Sequence, residues 1–445
     1  MKKGKIMNWK EIYKSRCVSA EEALSQIRNG EMVVPSHAAA EPKYLFNKLV
    51  EMKNQFENVG ILQGLNIGEA PYAAEDCQGH FVIHSFFLGK NNRKCCQEGR
   101  GEIIPIHFYA QPVAMREGYL PVDVGLIQVT PPDEEGYVWM GTSCDQTKVI
   151  VNRGRITIAQ VNRNMPHVCG DTRIPVSDID YFVEHDEDIY ELPLISSEDP
   201  VAEKIGYHIS TLIDDGACLQ MGQGTVPNAI LKFLEHKRDI GIHTEVFSDN
   251  LIPLIEKGVV NGAKKNIDTG KIVATFVQGT KELYKYVDHN PMIKLMPVDY
   301  TNDVGVIAQN DKVVAINSAL EVDLQGQVVA DSIGSKMFSG VGGQLDFLRG
   351  AEQSKHGRPI IALPSTAKGG TLSRIVGVLK PGTPVTTTRQ DVHYVVTEYG
   401  IADLFGKSIT QRSKALIEIA HPAFREQIEK DFYEYRKAAG QIYFR

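Results

Sequence analysis

Glu245 lies in the stretch DIGIHTEVF (239–247), where Ile240, Ile242, Val246 and Phe247 make an apolar, strand-like frame. A carboxylate in such a frame costs free energy unless it is paired or put to use. His243, two residues earlier, shares the face of Glu245 if the strand is regular. A general base is one role for it; packing or hydrogen bonding is the more ordinary one. Upstream, ACLQMG (217–222) reads as a strand that runs through QGTV into Pro227 and a helical run, PNAILKFLEHK. Gly222 and Gly224 sit where the strand turns into the helix. Pro227 suits the first helical turn, where its missing N–H costs nothing. Backbone N–H groups at such a turn can hold an anion or a developing oxyanion.

The same residues imitate a dinucleotide-binding fingerprint, with an acid following the two glycines at a suitable distance. Pro227 replaces the third glycine and forbids the close helix–strand approach the fingerprint needs. A second rich stretch contains SGVGGQLDFLRGA (339–351) and PSTAKGGTLSRI (364–375). Gly340, Gly342 and Gly343 allow close backbone approach to a ligand, or form a plain turn. Lys368, in a glycine-flanked loop with Arg374 following, could clasp a phosphate; a solvated surface loop is the alternative. In QVTPPDEEGYVWMGTS (128–143) the prolines and Gly136 read as a turn between strands, and its acids as solvated turn residues. No HExxH, P-loop, GxSxG or calcium-loop motif occurs, and none of these stretches needs a metal.

These residues must be positioned by alternating strands and helices, the rhythm of a parallel sheet. Ser19 with Glu22 opens a helix over 19–29 that Gly30 stops, and EMVVPS is a buried strand. A loop, HAAAE, leads to Pro42 and the helix PKYLFNKLVEMKN, and NVGILQGL (58–65) is the next strand. The order recurs later: KIGYHISTLIDD (204–215) as helix, Gly216, the ACLQMG strand, a loop, Pro227 and a helix. Two copies of helix–Gly–strand–loop–Pro–helix indicate two similar α/β domains. The acidic, strand-poor stretch 184–203 is the expected link, giving domains 7–190 and 200–445, the latter carrying Glu245. The last residues read as helix broken at Pro422. With 445 residues, 42% hydrophobic and 23% charged, the chain can bury ordinary cores in two or three domains. A net charge of −7 argues against a general nucleic-acid or membrane-surface binder. No apolar run reaches membrane-spanning length. The start lacks the apolar core of a secretory signal, and Met1–Ile6 reads as a short extension before Met7. Seven scattered cysteines, without a CxxC pair, read as free thiols in a reducing cytosol.

GIHTE (241–245), QGTVP (223–227), SGVGGQLDF (339–347), VTEYGIADLFGKS (396–408) and IAHPAFR (419–425), in this order, resemble the acetyl-CoA hydrolase/transferase family. The likeness extends over nearly the whole chain from Met7, including WKEIYKSR and PVDYTNDVGVIAQND, and leans to its 4-hydroxybutyrate and butyryl-CoA:acetate CoA-transferases. It implies two similar open α/β domains with largely parallel sheets and the active site between them. It makes Glu245 the nucleophile that carries CoA as a thioester in a ping-pong reaction. It nominates Gln223, Gly224, Thr225, Val226 and Pro227 as CoA contacts, Gly342 and Gly343 beside the thioester, and Lys368 at the nucleotide end. Asn317 and Leu320, in NSALEVD, match another binding stretch. Backbone N–H groups of Val226 and Gly343 would form the oxyanion hole. CoA would be a substrate, with no cofactor bound permanently. The expected partners are acyl-CoA and short-chain acids (acetate, 4-hydroxybutyrate, butyrate) in a cytoplasmic homodimer or larger homo-oligomer, without nucleic acid or membrane. Gln223 stands where the family usually has an apolar residue, and Thr244 where it often has Ser; both leave the acyl preference open. The competing readings are an acyl-CoA hydrolase using the same glutamate, a dinucleotide-dependent dehydrogenase, and a non-catalytic acyl-CoA sensor.

Overall fold

The computed structural model describes residues 8–194 and 198–440, so Met1–Ile6 and part of the expected link, 195–197, lie outside the described residues. By its internal contacts the chain divides into two units. The first contains the chain up to Pro193 together with Phe247–Asp249 and Val273–Thr301; the second contains Leu194–Val246, Asn250–Ile272 and the chain from Asn302.

The first unit is built on seven strands: β1 Met32–Pro35, β2 Val59–Gln63, β3 Phe81–Ser85, β4 Gly101–Ile103, β5 Val124–Val129, β6 Ile156–Val161 and β7 Tyr181–Glu184. Their order is β4-β3-β2-β1-β5-β6-β7, and every pairing is parallel. Every residue of β2, β5 and β6 is buried, as expected for parallel strands covered on both faces. Helix α1 (Ala20–Leu24) begins at the expected cap: the Ser19 side chain accepts from the Glu22 N–H at 3.1 Å. It is shorter than the 19–29 run, because the backbone tightens after Leu24 into Gln26 N–H→Ala23 O and Ile27 N–H→Leu24 O turns. Helix α2 (Lys43–Glu51) follows Pro42 and buries Leu45, Phe46 and Leu49. Pro131 to Gly136 form the expected turn, but Asp133 is not simply solvated. It accepts from the Tyr137 N–H at 3.0 Å and from Trp139 Nε1 at 3.0 Å, and pairs with Arg173 at 2.9 Å. These partners hold its carboxyl below the usual range against the opposing effect of burial.

The second unit begins with α3 (Pro200–Ser210), which the Asp199 side chain caps and Pro200 opens at the first helical position. This helix starts earlier than the 204–215 run: the acids and proline taken as link residues are its N-terminal signal. Its sheet contains β8 Cys218–Met221, β9 Gly241–His243, β10 Val313–Ser318, β11 Arg358–Ala362, β12 Tyr394–Thr397 and β13 Gly400–Asp403. Within the unit the order is β9-β8-β10-β11-β12-β13, parallel except for the last hairpin. Helix α4 (Thr225–Leu231) leaves β8, and α5 (Gln344–Gln353) packs Phe347 and Ala351 against Cys218, Val313 and Ala315. The chain ends in α6 (Ile409–Ile419) and α7 (Arg425–Ala438), broken at Pro422 as expected. The Ser408–Gln411 capping box opens α6.

Candidate active site

Parallel α/β sheets bind ligands at the carboxyl ends of their strands, where the strand order reverses. In the second unit that reversal falls at β8, whose neighbours β9 and β10 both follow it in sequence. The loop from Gly222 to Gly224 leaves this strand end. Gly224 has φ +151°, a conformation that favours glycine, and its backbone carbonyl accepts from the Asn228 N–H at 3.1 Å. Thr225 and Val226 then open α4, with Pro227 buried in its first turn. A helix leaves its first N–H groups without intrahelical partners, so Val226 presents a donor at this loop.

Glu245 stands one strand over. β9 ends at His243, so the frame is not a regular strand through Glu245. The Thr244 hydroxyl donates to the Met221 carbonyl at 3.0 Å and accepts from the Met221 N–H at 3.4 Å, which bends the chain and ties it to the end of β8. Glu245 is therefore half-buried in a bend just past the sheet, and the expectation that His243 shares its face on a continuous strand does not apply. His243 is buried and meets Phe347 edge-on, at 6.2 Å between ring centroids. Beneath this strand the Lys265 ammonium is buried and donates to the Ile242 carbonyl at 3.0 Å and the Lys271 carbonyl at 2.9 Å. It fixes the main chain that delivers Glu245.

The Glu245 carboxylate is gripped from the other side. Asn302 Nδ2 donates to Glu245 Oε1 at 2.6 Å and to Asp346 Oδ2 at 3.2 Å. One amide nitrogen, with two hydrogens, thus satisfies two carboxylates. Asp346 belongs to the first turn of α5, and Gly343 is that helix's N-cap. A methyl group on Gly343 would stand 1.8 Å from Glu245 Oε1 and 2.1 Å from Asn302 Nδ2. The glycine is required for space, since its φ of −106° suits other residues. The start of α5 is anchored at both ends of Gln344: Nε2 donates to the Ser318 carbonyl at 2.8 Å, and Oε1 accepts from the Thr387 hydroxyl at 2.9 Å.

The structure thus brings Glu245 and Gly343 into contact, and Gln223 to Pro227 leave the strand tied to Thr244. Asn317, on β10, donates to Gln220 Oε1 on β8 at 3.0 Å. Leu320 is partly buried, its N–H bonded to the Val329 carbonyl at 2.8 Å. Gly342 has φ +54° beside Gly343. Lys368 is exposed at the tip of a hairpin whose strands are Thr366–Ala367 and Leu372–Ser373. Arg374 is tied down instead of offered to solvent: Nη1 donates to the Ala319 carbonyl at 3.2 Å, while its own carbonyl accepts from the Val322 N–H at 2.8 Å. This joins the Lys368 hairpin to the segment holding Asn317 and Leu320. The Glu398 carboxylate, in VTEYG, accepts from the Ser365 N–H at 2.9 Å and hydroxyl at 2.5 Å, and the Thr397 hydroxyl donates to Ile419. Those motifs brace the loops. Asn302 and Asp346 are candidate site residues that the sequence alone did not single out, although both lie in motifs it offered, PVDYTND and GGQLDF. Cys218 is no rival nucleophile, because burial pushes its thiol up to about 11.

Glu245 is thus a carboxylate just past a strand end, oriented by the Asn302 amide beside the N-terminus of α5 and a glycine that has no room for a side chain. The chain matches the acetyl-CoA hydrolase/transferase N-terminal domain over residues 1–193 and the acetyl-CoA hydrolase/transferase C-terminal domain over residues 279–432. It is 47% identical to the 4-hydroxybutyrate coenzyme A transferase of Clostridium kluyveri, over 96% of this chain and 99% of that one. It is 36% identical to the butyryl-CoA:acetate CoA-transferase of Anaerostipes caccae, over 96% and 97% of the two chains. Among solved structures, the fold is similar to RipA from Yersinia pestis, with a TM-score of 0.91 and 36% identity over 98% of this chain and 100% of that chain. It is also similar to the 4-hydroxybutyrate CoA-transferase of Porphyromonas gingivalis, with a TM-score of 0.83 and 39% identity over 96% and 100%. The chain belongs to the acetyl-CoA hydrolase/transferase family and is an enzyme of that family.

Proposed function

We propose that this enzyme moves CoA between short-chain carboxylic acids, with 4-hydroxybutyrate as the first acyl choice, butyrate the second, and acetate as exchange partner. The observation that carries the reading is the Glu245 carboxylate, fixed by Asn302 and crowded by bare Gly343. The names of the relatives support the acyl class.

Glu245 attacks the acyl-CoA carbonyl, giving an acyl-glutamyl anhydride and CoA thiolate. The thiolate attacks the glutamyl carbonyl; the C–O bond of the anhydride breaks, the first acid leaves as carboxylate, and glutamyl-CoA remains. An incoming carboxylate reverses the two steps and takes the CoA. No net proton transfer is needed. The hydrogen bond to Oε1 orients the nucleophile, a positioning role whose loss at the reacting centre is felt strongly. Backbone N–H groups of Val226 and Gly343 are the proposed donors to the tetrahedral oxyanions, each contributing about 3 kcal/mol. Gln223 to Pro227, Asn317, Leu320, Gly342, Gly343 and Lys368 are the proposed CoA contacts. CoA is a substrate, and binding of its remote nucleotide supplies energy to position the thioester.

A second reading, hydrolysis of the same glutamyl-CoA, is favoured by 25% identity to an acetyl-CoA hydrolase of Neurospora crassa over 82% of this chain. The two differ only in water exclusion. Initial rates with 4-hydroxybutyryl-CoA or butyryl-CoA and varied acetate decide between them. Parallel double-reciprocal lines with acetyl-CoA formed in step with substrate loss support transfer. Free CoA released at a rate indifferent to acetate supports hydrolysis and sinks the proposal.

A further inference from the structure

We propose that His167, Asp288 and His289, on the first unit, form a binding site for a divalent transition-metal ion of the zinc, cobalt or nickel class. One ligand atom from each residue lies within 4.8 Å of the other two. His167 Nδ1 is 3.3 Å from Asp288 Oδ1, and His289 Nε2 is 4.0 Å from the same oxygen. Donors bound tetrahedrally at zinc-like lengths of about 2.0–2.1 Å stand about 3.3 Å apart. The first pair already has that separation, and the second needs to close by less than an ångström. Two imidazoles and one carboxylate suit zinc, cobalt or nickel better than calcium or magnesium, which prefer oxygen.

The main chain brings the three residues together before any ion arrives. Asp288 Oδ1 accepts from the His167 N–H at 2.7 Å, and the His289 N–H donates to the His167 carbonyl at 2.9 Å. His289 holds φ +52°, which turns the chain back so that consecutive residues Asp288 and His289 both reach His167. The two rings stack, 4.6 Å between centroids and 13° between planes. A metal lies in the plane of each ligating ring, so binding requires one ring to turn. His289, whose side chain is 65% exposed, has the room. Remaining coordination positions fall to water, for which a cavity of about 300 Å³ opens beside His167 and Asp288. That cavity also carries Asp188, Glu191, Arg163, Lys281 and Lys285. The cations are partly neutralised there, since Lys281 pairs with Asp188 at 3.0 Å and Arg163 with Asp186 at 2.6 Å.

Trp139 supplies the readout, its ring meeting His167 at 5.6 Å and His289 at 6.2 Å. Tag-free protein stripped with chelator is titrated with cobalt(II) and nickel(II), following tryptophan fluorescence and the cobalt visible bands, with zinc(II) competition and calorimetry for stoichiometry. The expected result is one ion per chain with quenching of Trp139, lost in Trp139→Phe while the calorimetric binding remains. His289→Asn, which tolerates the positive φ, and Asp288→Asn each weaken binding roughly tenfold or more, and His167→Ala with His289→Ala removes it. The rise in melting temperature that zinc produces shrinks in the single variants and disappears in the double variant, although their metal-free melting temperatures stay near that of the parent. No binding at millimolar metal, or binding undiminished in the double histidine variant, overturns the proposal.

Discussion

Gly343→Ala tests the geometry of the site with one methyl group. Alanine accepts the backbone angle of −106°, so no strain arises from φ. The new carbon would stand 1.8 Å from Glu245 Oε1, whereas ordinary contact begins at 3.4 Å, so the carboxylate or helix must retreat by about 1.6 Å. It also stands 2.1 Å from Asn302 Nδ2, so the hydrogen bond to Glu245 is disturbed together with the proposed nucleophile. A displacement of about 1 Å in a reacting group costs ~10²-fold. We expect kcat/KM to fall by at least ~10²-fold, or ~2.7 kcal/mol of transition-state stabilisation. The loss should sit in kcat, because contacts to remote parts of CoA are untouched. The assay is acyl transfer to acetate, with melting temperature measured in parallel. Folded Gly343→Ala protein retaining half the parental kcat/KM would refute the reasoning.

Asn302→Ala removes the amide between Glu245 and Asp346, leaving two carboxylates without their shared donor; kcat should fall ~10- to 100-fold, in line with ~1.5–3 kcal/mol for a charged hydrogen bond, with a smaller change in KM, as steady-state kinetics would report. Lys265→Met leaves the Ile242 and Lys271 carbonyls without their buried donor and should lower unfolding stability by ~2–4 kcal/mol in denaturant titrations. Glu41 is fully buried, and desolvation raises its carboxyl to about 7 although Asn66 donates to it. Its folded value lies above the unfolded one, so the folded state binds the extra proton between pH ~4.5 and 7, and stability falls as pH rises through that window and then levels. Glu41→Gln should remove this slope, of about 3 kcal/mol at most, when unfolding free energies at pH 5 and pH 8 are compared. Burial also pushes the Cys96 and Cys218 thiols up to about 11, so brief alkylation at neutral pH should mark the partly exposed Cys169 before either, as peptide mapping would show.

The sequence made the strand–loop–helix units legible because each carries its own punctuation. Gly30 and Gly216 stop chain segments, Ser19 caps one, and Pro42 and Pro227 open helices. Glu245 stood out because a charge in an apolar frame is costly wherever the chain goes. Its partner Asn302 did not, since it lies 57 positions further on and carries no chemistry alone. Its role arises only when β9 and α5 meet. Gly343 was legible as a permissive residue, but not as the one whose missing side chain makes room for Glu245. The bend at Thr244 was hidden because Ile240, Ile242, Val246 and Phe247 continue the apolar pattern through it; a hydroxyl bond to Met221 decides the geometry instead. The early start of α3 was masked by its own cap, Asp199–Pro200, which resembles a linker in composition. His167 and Asp288 are 121 positions apart, and no spacing rule joins them.

The central claim is that CoA becomes covalently bound to Glu245. The protein is mixed with butyryl-CoA or 4-hydroxybutyryl-CoA, quenched in acid, and its intact mass and peptides are recorded. The account predicts a CoA adduct on the peptide containing Glu245, discharged by acetate with formation of acetyl-CoA, and absent in Glu245→Gln. An adduct on another residue, or transfer to acetate by purified Glu245→Gln at the parental rate, would contradict it.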